Sequence, residues 1–189
     1  MGKSRNDLTY EYVNSRLRYE PETGLLFWKE RPPVAGETTK QAGHRDRWNM
    51  RHAKKEAGAE FVRGRTSYKQ IKLNRKAYYA HRLVWLLDYG EWPENQIDHI
   101  NGNGLDNRVE NLRDVTNQEN GKNRRIDLRS KFGATGVYFR KQKNKWEASI
   151  RVDGKYKYLG CFTSFTEAVR ARKEAERKHR FHPNHGRAA

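Results

Sequence analysis

Residues 96–120 read QIDHINGNGLDNRVENLRDVTNQEN, and this stretch decides the fold expected for the chain. Short apolar runs around Ile97 and Leu112 flank a glycine-rich turn and predict two short strands. Thr116 and Glu119 have the spacing of a capping box, in which two side chains satisfy the first backbone N–H groups of a helix. The stretch therefore predicts a strand, a turn, a second strand and then a helix.

An acid and a histidine, Asp98 and His99, stand side by side where the first strand is expected to end. Neighbouring side chains of a regular strand point to opposite faces, so both can serve one site only where the strand twists into a turn. Asn120 follows near the start of the helix. Carboxylate and amide oxygens suit a hard divalent cation, and an imidazole with a pKa near ~6.5 can take a proton from water. The sequence thus predicts Asp98 and Asn120 as metal ligands and His99 as a general base.

Asn111 begins the second apolar run and is expected to bond the loop backbone across the turn, which would hold His99 in place. Taken alone, an Asp-His pair is usually an ordinary surface or loop pair. Asparagine-rich turns are common because Asn tolerates left-handed backbone geometry. The ordered set favours a site: an Asp-His pair, a glycine-rich turn, Asn111, a capped helix and then Asn120.

The composition points to a polyanionic partner. The chain has 189 residues, and 40 Lys plus Arg against 23 Asp plus Glu give a formal net charge of +17. The 22 aromatic residues (5 Trp, 10 Tyr and 7 Phe) supply bulk for small cores, which a basic disordered tail would not need. The single cysteine, Cys161, excludes an internal disulfide and a zinc knuckle built from several cysteines. No apolar run approaches a membrane span or a signal peptide, so a cytoplasmic protein is expected.

Local patterns predict the remaining elements. In the first half they indicate a helix over 8–20, a turn at 21–24, a strand over 25–28, a hairpin over 68–80 and a helix over 81–90. The cationic stretch around Arg45 to Lys55 could be a helical insertion or a mobile loop, and residues 40–60 have no assigned role. In the second half they indicate a helix over 117–128, a linker over 130–133, strands over 136–140, 146–152 and 155–160, and a capped helix from Ser164 to about His179. Asp153-Gly154 is typical of a type I′ hairpin turn. The tail histidines, His179, His182 and His185, suggest a frayed basic tail rather than a metal site.

The block from residue 81 to residue 124 resembles the HNH endonucleases of the phage and intron-homing kind. The residues that carry the resemblance are His81-Arg-Leu-Val-Trp, Gly90-Glu-Trp-Pro, Ile97-Asp-His-Ile-Asn-Gly-Asn, Leu105-Asp-Asn-Arg, Asn111-Leu-Arg and Asn120. This resemblance implies a ββα-metal core in which His99 is the general base and Asn111 the central structural asparagine. It implies Asp98 and Asn120 as ligands of Mg²⁺ or another divalent cation such as Mn²⁺. Asn123, one helical turn later, is the competing ligand.

The segment over about 133–181 resembles the AP2/ERF DNA-binding domain through Gly136-Val-Tyr-Phe-Arg, Lys145-Trp-Glu-Ala-Ser-Ile-Arg and Tyr158-Leu-Gly-Cys-Phe. That family lays a three-stranded sheet in the major groove of DNA. The resemblance implies these DNA-reading positions: Tyr138, Arg140, Ser149, Arg151, Tyr156 and Tyr158. The tyrosines depart from the Arg and Trp more common there, so base preference does not carry over. The alternative is a basic sheet that is simply solvated.

These patterns together predict an α+β protein with a ββα-metal (HNH) nuclease core followed by a three-stranded antiparallel sheet packed on one helix. The expected segments are an N-terminal helix and hairpin region with a basic insertion (1–80), the nuclease core (81–129), the DNA-binding domain (133–182) and a tail (183–189). The expected function is metal-dependent hydrolysis of a phosphodiester in double-stranded DNA, by a nuclease of the homing type that acts as a monomer, or alternatively as a dimer, in the cytoplasm, which is the host cytoplasm for a phage protein. The rival classes are a non-catalytic, sequence-specific DNA-binding protein and an RNA-binding module that uses the same basic sheet.

Overall fold

A computed structural model describes residues 6–64, 66–123, 132–183 and 185–186 of the protein. The chain divides into two compact units, Met1–Asp114 and Val115–Ala189. Both contain helices and small antiparallel sheets, which agrees with the expected α+β class. No helix of the described residues is long and apolar enough to cross a bilayer.

The first unit alternates short helices with short strands. Its elements are α1 (Tyr10–Arg16), β1 (Leu17–Glu20), β2 (Leu25–Trp28), α2 (Thr39–His52), β3 (Ala59–Arg63), β4 (Thr66–Leu73), β5 (Lys76–Tyr79), α3 (Ala80–Tyr89), β6 (Gln96–His99), a 3₁₀ turn (Val109–Asn111) and β7 (Leu112–Val115), where the unit ends. The strands pair β1 with β2, β3 with β4 with β5, and β6 with β7. The hairpin expected over 68–80 and the strands expected around Ile97 and Leu112 are confirmed.

The N-terminal helix is shorter than the sequence predicts. Thr9 caps α1 by accepting a hydrogen bond from the backbone N–H of Tyr12, and the helix ends at Arg16. Leu17–Glu20 then forms a strand that pairs antiparallel with Leu25–Trp28 across the predicted turn. The expectation of helix up to residue 20 is wrong, because pairing with β2 outweighs the local helix preference of these four residues.

One hydrophobic core joins most elements of the first unit. Its fully buried members include Val13 and Leu17 near α1, Ile71 of β4, and Leu83 of α3. The core continues through two residues of the decisive stretch, which lie in β6 and β7: Ile97 and Leu112. Residues on both sides of position 80 therefore share one core, and the segment boundaries expected from function stay predictions.

The basic region that sequence patterns left open is helical over 39–52. Thr38 and Gln41 form a reciprocal capping box at the start of α2. After this helix, β3 adds a third strand to the hairpin of β4 and β5, with Phe61 opposite Tyr68. No local pattern predicts β3, because its side chains are mostly exposed and alternate only weakly between apolar and polar.

The second unit contains a short helix and a sheet packed on a longer helix. Its elements are α4 (Asn117–Gly121), β8 (Val137–Arg140), a 3₁₀ turn (Lys141–Lys143), β9 (Lys145–Val152), β10 (Lys155–Phe162) and α5 (Phe165–Lys178). The sheet order is β10-β9-β8, antiparallel throughout. Positive φ angles at Asp153 (51°) and Gly154 (77°) confirm the type I′ turn. Ala148 and Ala168 lie in one small core between the sheet and α5.

The two expected capping boxes differ in outcome. Thr116 and Glu119 form the full reciprocal box at the start of α4. Ser164 caps α5 differently, because its hydroxyl accepts from the backbone N–H of Thr166 rather than from that of Glu167. In the described residues α4 ends at Gly121, while residues 124–128 of the expected helix and the start of the expected linker lie outside the described residues.

The expectation of a frayed tail is wrong for the described part of the C-terminus. The backbone N–H of His182 donates to the carbonyl oxygen of Lys122 at 3.2 Å. His185 is buried, its ring contacts Phe181, and its Nε2 lies 3.3 Å from Nη2 of Arg172. Among the described residues there is no group of three His, Cys, Asp or Glu placed to hold a metal. Packing against α5, which a pattern of single residues does not show, orders this segment.

Gly104 lets the loop after β6 approach β4 closely, and its replacement tests this contact. A Cβ atom there would lie 2.5 Å from the carbonyl oxygen of Ser67 and 2.8 Å from the ring of Tyr68. We therefore expect Gly104→Ala to lower the free energy of unfolding by about 1–3 kcal/mol, measured by urea denaturation. Gly43→Ala in α2 is the control, because a Cβ atom there meets only ordinary contacts. This substitution should raise the free energy of unfolding by roughly 0.5–1 kcal/mol. A Gly104→Ala protein as stable as the wild type would contradict this packing.

Candidate active site

The end of β6 places the acid and the histidine at the edge of a tight turn. The backbone N–H of Gly102 donates to the carbonyl oxygen of His99 at 2.8 Å, which turns the chain directly after the strand. The N–H of Ile100 donates to the carbonyl oxygen of Asn111 at 2.9 Å and keeps the returning chain alongside. The geometry required for Asp98 and His99 to serve one region, a strand that ends in a turn, is present.

The side chain of Asn111 bonds the loop at two separated points. Its Oδ1 accepts from the backbone N–H of Asn101 at 3.0 Å, and its Nδ2 donates to the carbonyl oxygen of Asp106 at 2.8 Å. The two bonded residues are themselves linked, because Nδ2 of Asn101 donates to Oδ2 of Asp106 at 2.8 Å. Asn111 is buried, so these bonds are shielded from water. The amide thus fixes the start and the end of the loop that follows His99.

His99 is buried, and its ring is held by a hydrogen bond and by aromatic neighbours. Nε2 lies 3.1 Å from Oδ1 of Asn107, a residue that is only 1 % exposed. Nδ2 of Asn107 donates to the carbonyl oxygen of Leu105 at 3.3 Å, which turns the amide oxygen towards the ring. Nε2 must therefore carry the proton, and the lone pair of the neutral imidazole is on Nδ1.

Burial keeps this imidazole neutral. Desolvation lowers the pKa of His99 below its ordinary value, and the hydrogen bond with Asn107 and the charge of Asp98 oppose the effect without cancelling it. His81 meets the ring of His99 edge to face at 5.1 Å, and burial lowers the pKa of His81 well below its ordinary value. His81 stacks on Tyr79 and is buried at the start of α3, as expected of a packed helix-start histidine. At neutral pH both rings are uncharged.

Asp98 is held by an arginine from the neighbouring strand. Its Oδ2 accepts from Nη2 of Arg113 at 2.6 Å and from Nε at 3.0 Å, and the carboxylate is only 11 % exposed. A carboxylate has roughly four lone-pair directions, so an arginine and a cation can share it. The position therefore still fits a hard cation, and Arg113 fixes the orientation in which the carboxylate is presented.

Both amide candidates for the remaining ligand lie in the second unit. Asn120 is in α4 and is half-buried, while Asn123 follows the helix and is 2 % exposed. Asp98, His99 and Asn111 are brought together by the first unit. The choice of Asn120 over Asn123 stays a prediction. An amide oxygen and a carboxylate are both hard donors, so the chemistry of the donor set fits Mg²⁺ or Mn²⁺.

The sequence reasoning missed Asn107, Arg113 and Tyr68. Asn107 and Arg113 lie inside the stretch 96–120, yet no periodicity indicates that Asn107 is buried or that Arg113 is the partner of Asp98. Tyr68 comes from β4 and approaches the His99 ring with centroids 6.1 Å apart. The one sequence signal for Arg113 is the expected pairing of the two short strands, which would place it opposite Asp98.

The C-terminal sheet presents aromatic and cationic side chains on the face opposite α5. Its tyrosines are each about half exposed: Tyr138 (50 %), Tyr156 (59 %) and Tyr158 (56 %). Arg140 and Arg151 are also exposed, and Arg140 forms an ion pair with Glu147 at 3.0 Å. Ser149 is only 4 % exposed and lies on the central strand, where it pairs with Tyr158 of β10. Its role as a DNA-reading position stays a prediction.

Comparison with known proteins identifies the class of this site. A family model described as HNH endonuclease matches residues 78–122, which include β6, the loop held by Asn111, β7 and α4. The chain therefore contains an HNH endonuclease domain. Protein 3.8 of Escherichia phage T7 is 34 % identical over 92 residues, which make up 48 % of this chain and 74 % of that protein. The chain belongs to the same family as this phage protein. No solved structure matches it.

Asn107 should determine which nitrogen of His99 is protonated. We expect long-range ¹H–¹⁵N NMR at neutral pH to show the Nε2–H tautomer for His99 in the wild type and a mixture of tautomers in Asn107→Ala. The substitution should also lower the free energy of unfolding by about 1–3 kcal/mol, because it leaves a buried donor without its acceptor. Glu94→Ala, at an exposed position of the same unit outside this loop, is the control and should change stability by less than about 0.5 kcal/mol. An unchanged tautomer in Asn107→Ala would refute the assignment.

Proposed function

We propose that this protein is a metal-dependent DNA endonuclease whose HNH domain hydrolyses a phosphodiester bond. The observation that carries the proposal is the buried, neutral imidazole of His99. It is oriented by Asn107 beside the carboxylate of Asp98, inside the segment that matches the HNH endonuclease family. The strongly basic composition supports nucleic acid as the substrate. The expected assignment to the homing type stays a prediction.

The proposed roles follow from the chemistry of each side chain. Asp98 and Asn120 would hold Mg²⁺, or another divalent cation such as Mn²⁺. When bound, such an ion polarises the scissile phosphate and stabilises the charge on the leaving oxygen. His99 accepts a proton from the attacking water as the water oxygen bonds to phosphorus and the bond to the 3′ oxygen breaks. Asn111 contributes by keeping the loop, and with it His99, in position.

The number of active sites limits how many strands are cut in one encounter with DNA. One site cuts one strand at each visit, so a monomer would nick double-stranded DNA. A cut through both strands would need a dimer or two successive events. The two outcomes are separated by whether supercoiled plasmid becomes first an open circle or directly a linear molecule.

The C-terminal sheet is the proposed DNA reader. Its outer face presents tyrosines that can stack or pack on a backbone, together with Arg151, a side chain suited to guanine edges and phosphates. Arg140 is a weaker candidate because its guanidinium is already bonded to Glu147 through two nitrogens. Two things support this proposal: the resemblance to the AP2/ERF domain and the exposure of these side chains. The same face could instead bind RNA, and an RNA competitor tests this alternative.

Substitution at the site should separate cleavage from binding. We expect His99→Gln and His99→Ala to lower the rate of plasmid cleavage by ~10²–10⁴-fold while affinity for DNA is retained, because only the proton acceptor is lost. Asp98→Ala and Asn120→Ala should also cut slowly, and raising the Mg²⁺ concentration should partly restore them, since both are proposed to ligate the same ion. The wild-type reaction should stop in EDTA.

His179→Ala is the matched control, because His179 lies at the end of α5 in the second unit and is given no catalytic role. It should cut at the wild-type rate. A folded His99→Gln protein that cuts at nearly the wild-type rate would contradict the assignment of His99 as the general base. If Asn123→Ala is the severe change and Asn120→Ala the mild one, the ligand is Asn123. Binding without any metal-dependent cutting would favour the rival class, a non-catalytic DNA-binding protein.

Point substitutions are the cleaner test of the sheet. Removal of residues 133–189 would also remove Phe181 and His182, which contact Lys122 beside α4. We expect Arg151→Ala to weaken binding to a cognate duplex by roughly 1–3 kcal/mol, the loss typical of one base-edge contact. Arg140→Ala should cost less, since its ion pair with Glu147 must first be broken.

The sheet measurement compares a cognate duplex, a scrambled duplex and an RNA competitor. Arg177→Ala on the exposed face of α5 is the control and should bind like the wild type. Unchanged preference for the cognate duplex in Arg151→Ala would mean that this face does not read DNA. Displacement of the cognate duplex by RNA at equal concentration would favour the RNA-binding alternative.

A further inference from the structure

Helix α2 is a surface element that contributes nothing to the core of the first unit. None of its 14 residues is buried, and the structure describes all of them. Contacts from its C-terminal half attach it to the rest of the first unit. Trp48 meets Trp28 edge to face at 5.5 Å, and the side chain of Asn49 bonds both the N–H and the carbonyl oxygen of Arg31. A helix fixed in this way leaves most of its surface to solvent or to a partner.

The exposed surface of α2 carries a cationic stripe. We define this basic stripe as four exposed residues, three cations and one histidine, at positions i, i+4, i+7 and i+11: Lys40, His44, Arg47 and Arg51. Residues at these spacings lie on one side of an α-helix. Arg45 is separate from the stripe, because it is paired with Glu37 and Asp46. The carboxylates nearest in sequence are therefore engaged elsewhere, and the stripe keeps its positive charge.

A cleft at the N-terminal half of the stripe adds a desolvated arginine. The cleft has a volume of about 460 Å³ and is lined by Arg31, Lys40, Gln41, His44, Arg45 and Trp48. The guanidinium carbon of Arg31 lies 3.6 Å from the centre of the Trp48 ring. Its Nε is buried without a hydrogen-bond partner among the described residues. Burial, followed by repulsion from Arg16, lowers the pKa of Arg31. This cation would gain from an anion that enters the cleft.

The arrangement is unfavourable without such an anion. Like charges four residues apart on a helix destabilise it by a few tenths of a kcal/mol, and Arg47 and Arg51 are such a pair. A core-facing helix offsets this cost by burying apolar surface, which α2 does not do. The charge pattern is therefore better matched to a polyanion than to water, and a row of phosphates complements a row of cations.

We propose that the basic stripe and its cleft bind the phosphate backbone of duplex DNA, as a contact separate from the residues that cut and from the C-terminal sheet. The inference rests on the proposed function, since it names a further part of the same substrate. From Lys40 to Arg51 the helix rises by about 16 Å, at roughly 1.5 Å per residue. This length spans about five base pairs at roughly 3.4 Å each. The stripe should make contacts that are independent of base sequence.

The test is the salt dependence of binding. A triple variant, K40Q/R47Q/R51Q, is compared with the wild type on a labelled duplex in EDTA, so that binding is measured without cleavage. Each lost phosphate contact should reduce the log–log slope against salt by about 0.9, so the three together should reduce it by about 2–3. Between about 50 and 200 mM salt the wild type should therefore lose about 40-fold more affinity than the variant.

The control removes the same charge elsewhere. R170Q/R177Q/K178Q changes three exposed positions of another helix, α5, and lowers the net charge by the same amount. Its slope should stay near that of the wild type, so a change confined to the α2 variant reports position rather than total charge. K40R/R47K/R51K keeps the charges and should restore the wild-type slope. Circular dichroism and thermal melting of all three variants verify that α2 and the core remain folded.

The outcomes separate this inference from the proposed function. If the wild type binds and cuts DNA but the two glutamine variants show equal slopes, the stripe is a solvated face and the inference is wrong. If the α2 variant alone loses slope on both a cognate and a scrambled duplex, the stripe is a backbone contact. If the wild type neither binds nor cuts DNA, the proposed function fails and the stripe contact fails with it.

Discussion

The side-chain amide of Asn111 bonds the loop after β6 at both of its ends, and the geometry of the candidate site depends on this contact. The loop carries Asn107, which bonds the imidazole of His99, and Gly104, which lets the chain pass within contact distance of Tyr68. If the amide did not hold the loop, Asn107 could not stay buried against the ring. A buried side-chain network of this kind is specific because each unsatisfied member would carry a large desolvation cost.

The small size of the β6–β7 pairing explains why it needs such support. Two short strands alone do not form a stable sheet in water. Here Ile97 and Leu112 enter the core built by α1, α3 and the β4–β5 hairpin. Asp98 and His99 directly follow Ile97 in β6, so the core that anchors Ile97 also fixes where the backbone of these two catalytic candidates lies. The N-terminal region therefore supplies part of the core against which Ile97 and Leu112 of the HNH domain pack.

The cations near the candidate site differ in their surroundings from those on α2 and on the C-terminal sheet. Near the candidate site, cations are paired and oriented, as Arg113 is with Asp98 and Arg108 with Asp106. The Arg108 contact holds the pKa of Asp106 down to about 2, which keeps this loop carboxylate ionised. On α2 and on the outer face of the C-terminal sheet, several cations are exposed, among them Arg47, Arg51 and Arg151. Oriented, paired cations suit the precise placement of one phosphate, whereas exposed cations suit electrostatic binding along a polyanion.

The sequence by itself determined the local elements whose signals are short in range. These include the strands at Ile97 and Leu112, the capping box of Thr116 and Glu119, and the turn at Asp153. It also identified the order of residues that matches the HNH family, since that order is a linear pattern. Only the tertiary structure decided that residues 17–20 form a strand, that Ser149 is buried on the central strand of its sheet, and that the tail packs on α5. It alone showed Asn107 and Arg113 as partners of His99 and Asp98. The physical reason is that burial, hydrogen-bond partners and strand pairing arise from residues distant in sequence, whose proximity no local period encodes.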